Sequence, residues 1–280
     1  MNDPHRRLSP VVLGIDAAWT IGKPSGVALA VHAGSGWRLL AVAPSYAHFL
    51  ELAQGNPLSS VPTGSTPDVT ALLTASERIA GAPVSLVAID MPLSLTPITG
   101  RRESDNAIAR AFGARHCSTH SPSAARPGAL SDTLRGDFAA AGYPLRTHDV
   151  AAGGLIEVYP HPAVVVLANA ARRLPYKAGN SAKYWPGEPI AVRRALLSEQ
   201  WRRITGLLAR RLDGVSDHLP ALPEVATGIA RKAYEDKLDA IICTWVGITA
   251  LTGQATPYGD DISAIWVPRE DDGTEPLAAG

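Results

Sequence analysis

Two short apolar segments of this chain each end on an aspartate. Residues 11–16 read Val-Val-Leu-Gly-Ile-Asp, and residues 84–90 read Val-Ser-Leu-Val-Ala-Ile-Asp. Continuous apolar runs of this length are typical of buried strands. A single Asp after a strand is most often a turn or cap residue, so the interpretation depends on the pair and on further acids near the C-terminus. Carboxylates that converge from rigid elements are suited to a hard divalent cation.

Composition limits the function classes that fit this chain. It has 280 residues, of which 46% are hydrophobic and 19% charged, as in an ordinary globular protein with a sizeable core. Lys plus Arg equals Asp plus Glu, at 26 each, so no overall positive field favours tight non-specific binding of nucleic acid. The two cysteines and the lack of a signal-peptide pattern or a long apolar run predict a cytoplasmic protein without a membrane segment. Nothing in the sequence indicates an oligomeric state.

The order of the predicted elements is informative. Three strands joined by short links predict an antiparallel meander. The fourth strand is reached through helices, so it can run parallel to the first. The predicted strands cover residues 11–16, 25–32, 37–43 and 84–90, with helices over 46–53 and 67–79.

The rest of the chain predicts a helical insertion and the remainder of one domain. We interpret residues 1–280 as a single domain with an insertion at about 91–154 and a frayed tail at about 269–280. A fifth strand follows the insertion. The later predictions are strands over 155–159 and 263–267 and helices over 162–171, 190–212 and 223–251.

Strand, strand, strand, helix, strand, helix, strand, helix is the order of a ribonuclease H-like domain. The predicted fold class is therefore α/β, with a mixed sheet that combines a three-stranded antiparallel meander with parallel strands and has helices on both faces. In that layout the first and fourth strands are neighbours. Asp16 and Asp90 are then expected side by side at the carboxyl edge of the sheet, where ligand sites of α/β proteins are common.

Three further acids complete the predicted catalytic set. Asp236 and Asp239 are three residues apart on one helix and border its apolar stripe, although both also fit ordinary first-turn acids. Glu157 lies in an apolar strand, where an unpaired charge is costly, so it either binds metal or pairs with Arg or Lys. The candidate catalytic residues are Asp16, Asp90, Glu157, Asp236 and Asp239.

Two basic segments are candidates for substrate binding. Arg101 and Arg102 follow the fourth strand and predict a phosphate-binding patch near Asp90, with a solvated helix face as the alternative. Lys177 and Lys183 lie in a loop with Tyr184 and Trp185. Cations interleaved with aromatics are typical of base-stacking loops, although such a loop also fits simple packing.

Four segments carry a resemblance to a known family. They are Gly-Ile-Asp-Ala-Ala-Trp at 14–19, Ile-Glu-Val-Tyr-Pro-His-Pro at 156–162, Asp-Ala-Ile-Ile-Cys-Thr-Trp at 239–245, and Tyr-Gly-Asp-Asp at 258–261. Together they resemble the domain-of-unknown-function family 429, whose members are described as predicted nucleases with a ribonuclease H-like fold. The set of acids is also similar to that of Holliday-junction resolvases. This similarity implies two Mg²⁺ or Mn²⁺ ions, bridged by Asp16, with Asp90 on one ion and Asp239 with Asp236 on the other.

The sequence therefore predicts a metal-dependent phosphodiesterase or nuclease, with metal ligands Asp16, Asp90 and Asp239 and a nucleic acid or nucleotide as substrate. Two alternatives stay open. An ATP-dependent phosphotransferase of the actin and sugar-kinase type also places Gly-Ile-Asp on its first strand, but it needs two copies of the fold. A non-catalytic binding module with the same fold would lack turnover altogether.

Overall fold

A computed structural model describes residues 9–57 and 61–270 of the chain. Its centre is one mixed sheet of seven strands in the order β3-β2-β1-β4-β5-β7-β6. The strands are β1 (Val11–Asp16), β2 (Gly26–Ala33), β3 (Gly36–Ala43), β4 (Leu86–Ile89), β5 (Gly154–Val158), β6 (Ala255–Gly259) and β7 (Ala264–Pro268).

The sheet has an antiparallel half and a parallel half. β1, β2 and β3 form the predicted meander, and β4 runs parallel to β1. β5 and β7 continue the parallel half, and β6 closes the edge in the antiparallel sense. This is the mixed α/β arrangement expected from the element order, and it matches the layout of a ribonuclease H-like domain.

Helices cover both faces of the sheet. The helix of residues 228–251 lies against β1, β2 and β4 in the core that also holds the helices of residues 160–167 and 190–209, whereas the helices of residues 46–54, 69–80 and 129–140 pack on the opposite face. None of the helices in the described ranges is both long and apolar enough to cross a membrane. The α-helices are α1 (Tyr46–Gln54), α2 (Val69–Ala80), α3 (Glu103–Phe112), α4 (Ala129–Ala140), α5 (Pro160–Leu167), α6 (Ser181–Tyr184), α7 (Ile190–Ala209), α8 (Val215–His218) and α9 (Gly228–Leu251).

Two glycines allow α9 to approach the sheet closely. A Cβ atom on Gly14 of β1 would lie 2.5 Å from the carbonyl oxygen of Ala240, and one on Gly26 of β2 would lie 2.1 Å from the carbonyl oxygen of Asp236. Both distances are too short for any other residue without movement of the helix. The absence of side chains at Gly14 and Gly26 therefore sets the distance between α9 and β1, the strand that ends on Asp16.

Some elements differ from the sequence prediction. α9 begins at Gly228, capped by the Thr227 side chain, and not at the predicted residue 223. β6 was not predicted, because its Pro257-Tyr258-Gly259 segment reads as a turn. The turn that follows is built by Asp260, whose Oδ1 accepts hydrogen bonds from the backbone of the next residues. Most of the predicted frayed tail, 271–280, and most of the N-terminal arm lie outside the described residues.

Candidate functional site

Asp16 and Asp90 lie at the carboxyl ends of adjacent parallel strands. Ile15 and Ile89 are register partners, and the backbone N–H of Asp90 donates to the carbonyl of Ile15 at 2.8 Å. The two isoleucines pack in the core beneath α1 and α2. Because side chains alternate along a strand, the aspartates that follow them project to the α9 side. The sheet therefore brings the two carboxylates together, as the strand order predicted.

The acids of α9 face this edge of the sheet. Gly26 is the cross-strand partner of Asp16. Because Gly26 has no side chain, the backbone of Asp236 can approach it closely. The side chains of Asp236 and Asp239 are almost fully buried, with 2% and 0% of their surface exposed. Four of the five predicted acids, including both aspartates of the sheet, thus lie between β1, β4 and the first half of α9.

Lys177 supplies positive charge beneath the cluster. Its ammonium group forms an ion pair with Asp239 and lies 3.9 Å from Glu235. The hydroxyl group of Tyr176 donates to the other oxygen of Asp239 at 2.8 Å. Burial acts to lower the pKa of Lys177, but Asp239 together with Tyr176, Glu235 and Asp16 outweighs this effect, and the pKa lies well above its ordinary value. Lys177 is therefore charged, and both oxygens of Asp239 already have partners.

Lys232 plays a similar part on the solvent side. Its ammonium group lies 2.6 Å from Asp236, one helical turn along α9, and 2.8 Å from Glu235. The second oxygen of Asp236, Oδ2, is buried and has no hydrogen-bond partner among the described residues. Asp236 thus keeps an unused ligand atom, whereas Asp239 does not.

Burial and mutual repulsion make the charged form of these acids costly. Burial raises the pKa of Asp90 to about 7, against an opposing effect of Lys177. Burial also raises the pKa of Asp16 well above its ordinary value, with Asp239 as the next contribution. Burial likewise raises the pKa of Asp236 to about 6, although Lys232 opposes this rise. Two lysines do not compensate this many buried carboxylates.

The donor set fits a cation held by few protein ligands. The carboxylate oxygens of Asp16 and Asp90 receive no hydrogen bond or ion pair from the described residues. In the same part of the chain, no group of three or more His, Cys, Asp or Glu side chains is arranged to hold a metal ion. Mg²⁺ commonly uses one or two carboxylates and completes its shell with water and substrate phosphate. Asp16 and Asp90, as a pair of carboxylates, match that mode and do not match an all-protein cage.

A cleft of about 970 Å³ opens above these acids. Asp16, Asp90 and Asp236 line it, whereas Asp239 lies beneath it. Its walls come from the loop after β1, residues 61–62, the loop between α3 and α4, and the first turns of α9. The wall side chains that bear on function are Trp19, Lys23, Val61, His120, Arg126, Ile229 and Lys232.

Glu157 and Arg102 do not join the cleft. Glu157 is the register partner of Ile89, so alternation directs it to the face opposite α9. There Arg102 donates to its two oxygens at 2.5 and 2.8 Å and also pairs with Asp105. Of the two roles predicted for Glu157, the structure shows the ion pair. Arg102 is buried by these contacts, so the expected phosphate patch does not include it.

The other two predicted substrate residues lie apart from the acids. Arg101 is exposed and donates to Asn106, to the carbonyl of Asp105, and to Ser121 at the cleft wall. Lys183 is exposed on the short helix α6 and is not among the residues lining the cleft. Only Arg101 therefore approaches the cleft, through its contact with Ser121.

The structure adds cleft residues that the sequence analysis did not select. They are Trp19, Lys23, His120, Arg126 and Lys232. One signal was available, because Lys232 precedes Asp236 by four residues, a spacing that places both on one helix face. The other four lie in loops whose paths are not encoded in an apolar pattern.

The comparisons with known proteins agree with the predicted family. The family described as Protein of unknown function (DUF429) matches residues 14–263, which include the end of β1 with Asp16, the insertion, α9 and β6. No curated protein and no solved structure matches the chain. The match spans most of the sequence, and the chain therefore belongs to the DUF429 family.

Proposed function

We propose that this protein is a divalent-metal-dependent phosphodiesterase acting on a nucleic acid or nucleotide. One observation carries the proposal, namely that Asp16 and Asp90 lie at adjacent strand ends on the floor of a cleft, where their carboxylates have no hydrogen-bond or ion-pair partner among the described residues. Buried acids that lack a compensating group cost folding free energy. Such a cost is typical of functional sites, where a ligand supplies the missing charge.

Asp16 and Asp90 would hold the cation, with water and substrate oxygens completing its shell. When bound, Mg²⁺ or Mn²⁺ lowers the pKa of a water ligand and offsets charge on the phosphoryl oxygens. Asp239, a metal ligand by the resolvase similarity, would have to release Lys177 to bind the ion directly. Its ligand role stays a prediction, while its contacts with Tyr176 and Lys177 position the floor of the cleft.

The walls supply the chain's own contribution to binding a phosphodiester. Lys23 and Arg126 reach the cleft without a carboxylate partner among the described residues. Cations of this kind bind phosphate oxygens through charge-assisted hydrogen bonds. His120 lies on the same wall and offers a group that can exchange a proton with a leaving oxygen. Glu157 and Arg102, on the other face of the sheet, position the segment after Asp90 instead.

Cleavage assays test the proposal directly. The purified protein is incubated with Mg²⁺, Mn²⁺ or a chelator and with single-stranded, duplex and branched DNA and RNA, with dinucleotides and with a chromogenic phosphodiester. We expect cleavage of at least one substrate that requires the cation and disappears in Asp16→Asn. Equal signals from the wild type and Asp16→Asn would point to the non-catalytic binding module.

The phosphotransferase alternative has less support. Enzymes of that type close two copies of the fold on the nucleotide, whereas the described residues form one sheet with one meander. An ATP turnover assay separates the two activities. Release of ADP with no cleavage of any phosphodiester would favour the phosphotransferase.

A further inference from the structure

Four segments of the chain line the cleft around its acidic floor. The loop after β1 contributes Trp19 and Lys23, residues 61–62 form a second wall, the loop between α3 and α4 contributes Arg126, and α9 contributes Ile229 and Lys232. Its volume of about 970 Å³ lies at the upper end of the range for small-molecule sites. A cleft of this volume accommodates a short, flexible ligand more readily than the continuous backbone of a duplex.

The free cations of the cleft are few. Lys232 is already paired with Asp236 and Glu235. Of the Lys and Arg side chains that line the cleft, Lys23 and Arg126 are left without an ion pair in the described ranges. Two cations suit one or two phosphates, whereas a protein that follows a long strand presents a row of them.

The cleft also offers a flat surface for a base. The guanidinium of Arg126 lies over the ring of Trp19, with its Cζ atom 5.8 Å from the ring centroid. Bases stack on indole rings and on guanidinium planes. Val61 and Ile229, which line the same cleft, are 50% and 60% exposed, so they provide uncovered apolar surface beside this pair.

We propose that the cleft takes a small phosphodiester of one or two nucleotides, with a base on the Trp19–Arg126 pair and a phosphate beside Lys23. The inference rests on the proposed function and restricts its substrate to one class, phosphodiesters of one or two nucleotides. A polymer is the competing occupant. A polymer would need further cations outside the cleft, and the candidates are the α7 arginines, exposed Arg194 and Arg202 on the helix and Arg210 directly after it, which have no carboxylate partner among the described residues.

Calorimetric titration tests the inference. The full chain is titrated, with a chelator and with Mg²⁺, against AMP, a linear adenine dinucleotide, a twelve-nucleotide single strand and a duplex. We expect the dinucleotide to bind within a few-fold of the single strand. Trp19→Ala should weaken its binding by roughly 5- to 100-fold, the loss expected for one stacked base, and Trp19→Phe should restore most of it.

Two further variants keep the test decisive. Arg126→Ala changes an exposed side chain, so it tests the same surface if Trp19→Ala lowers the melting temperature. Arg202→Ala combined with Arg210→Ala is the matched control on α7, and we expect it to leave dinucleotide affinity unchanged.

Three results would overturn the inference. They are no dinucleotide binding, dinucleotide binding that is insensitive to Trp19→Ala and Arg126→Ala, or a polymer that binds more than about tenfold tighter (about 1.4 kcal/mol) and depends on the α7 arginines.

The proposed function fails separately. A dinucleotide bound as expected but never cleaved with Mg²⁺ or Mn²⁺ would refute the phosphodiesterase, while cleavage restricted to polymers would refute only the substrate class.

Discussion

At the scale of single residues, the site contains more carboxylates than cations to compensate them. Within the described part of the chain, Asp16 and Asp90 line the cleft without a hydrogen-bond or ion-pair partner, whereas Asp236 and Asp239 each pair with a lysine. Lys177 stabilises Asp239 and Lys232 stabilises Asp236, whereas the charges of Asp16 and Asp90 are left to a ligand. The protein without metal should therefore be less stable than its packing alone allows, a common cost of functional acids.

Replacing Asp90 with Asn should stabilise the protein in the presence of a chelator. The pKa of Asp90 is raised by burial from its ordinary value of 3.8 to about 7 in the folded state. Between these values the folded state holds the proton that the unfolded state has released, so stability falls as pH rises. We expect Asp90→Asn to raise the free energy of unfolding by roughly 0.5–2 kcal/mol at about pH 8, and by less at about pH 5.

Urea denaturation at the two pH values measures this difference. Asp137→Asn is the matched control, because Asp137 is exposed on α4, away from the cluster. A gain for Asp90→Asn that is equal at both pH values, or a loss at the higher one, would contradict a buried charge at this position.

Replacing Lys177 with Met should destabilise the protein strongly. The change leaves Asp239 buried without its cation, a loss on the order of 3–5 kcal/mol. Adding Asp239→Asn should recover part of that loss. Lys183→Met is the control at an exposed lysine and should stay within about 0.5 kcal/mol of the wild type. Equal stability of the two single variants would show that Lys177 does not hold the floor of the cleft.

At the scale of elements, alternation and close packing decide which acids meet. Asp16 and Asp90 were predictable, because the order of the strands makes β1 and β4 neighbours and both strands end on Asp. For Glu157 the sequence left two roles open, a metal ligand or a partner of Arg or Lys, because it does not fix which residues of β5 pair with β4. A shift of one residue in register moves a side chain to the other face.

Gly26→Ala tests the contact between β2 and α9. Its Cβ would lie 2.1 Å from the carbonyl oxygen of Asp236, so the helix must move away from the sheet. We expect a loss of about 1–3 kcal/mol together with weaker Mn²⁺ binding. Gly36→Ala is the matched control at the hairpin, where no other atom lies within 4 Å of the added Cβ. Thermal melts compare the two variants, and similar melting temperatures would contradict the close approach.

Arg102→Met tests the ion-pair network behind the sheet. Arg102 binds Glu157 and Asp105 and donates to the carbonyl of Leu93 at 2.7 Å, while Glu157 accepts from the N–H of Leu93 at the same distance. The variant leaves two buried carboxylates unpaired, so we expect a loss on the order of 3–5 kcal/mol. Arg101→Met removes a neighbouring exposed arginine and should cost no more than about 1 kcal/mol. Chemical denaturation of the two variants should therefore give clearly different midpoints.

At the scale of the whole molecule, the sequence predicted the sheet better than the cleft. Six of the seven strands, the meander and the parallel pairing of β1 with β4 follow from apolar patterns and the order of elements, and the structure confirms them, whereas β6 was not predicted. The contacts that complete the site join residues far apart in the chain, such as Lys177 with Asp239, 62 positions apart, and Arg102 with Glu157, 55 apart. Such contacts depend on loop paths, for which a single sequence has no periodic signal.

A calorimetric titration with Mn²⁺ tests the central claim, that the cleft floor binds a divalent cation through Asp16 and Asp90. The account predicts saturable binding to the wild type that is lost or much weaker in Asp16→Asn and in Asp90→Asn, and unchanged in Asp137→Asn. Wild-type protein that binds no Mn²⁺, or binding that both aspartate variants retain in full, would contradict it.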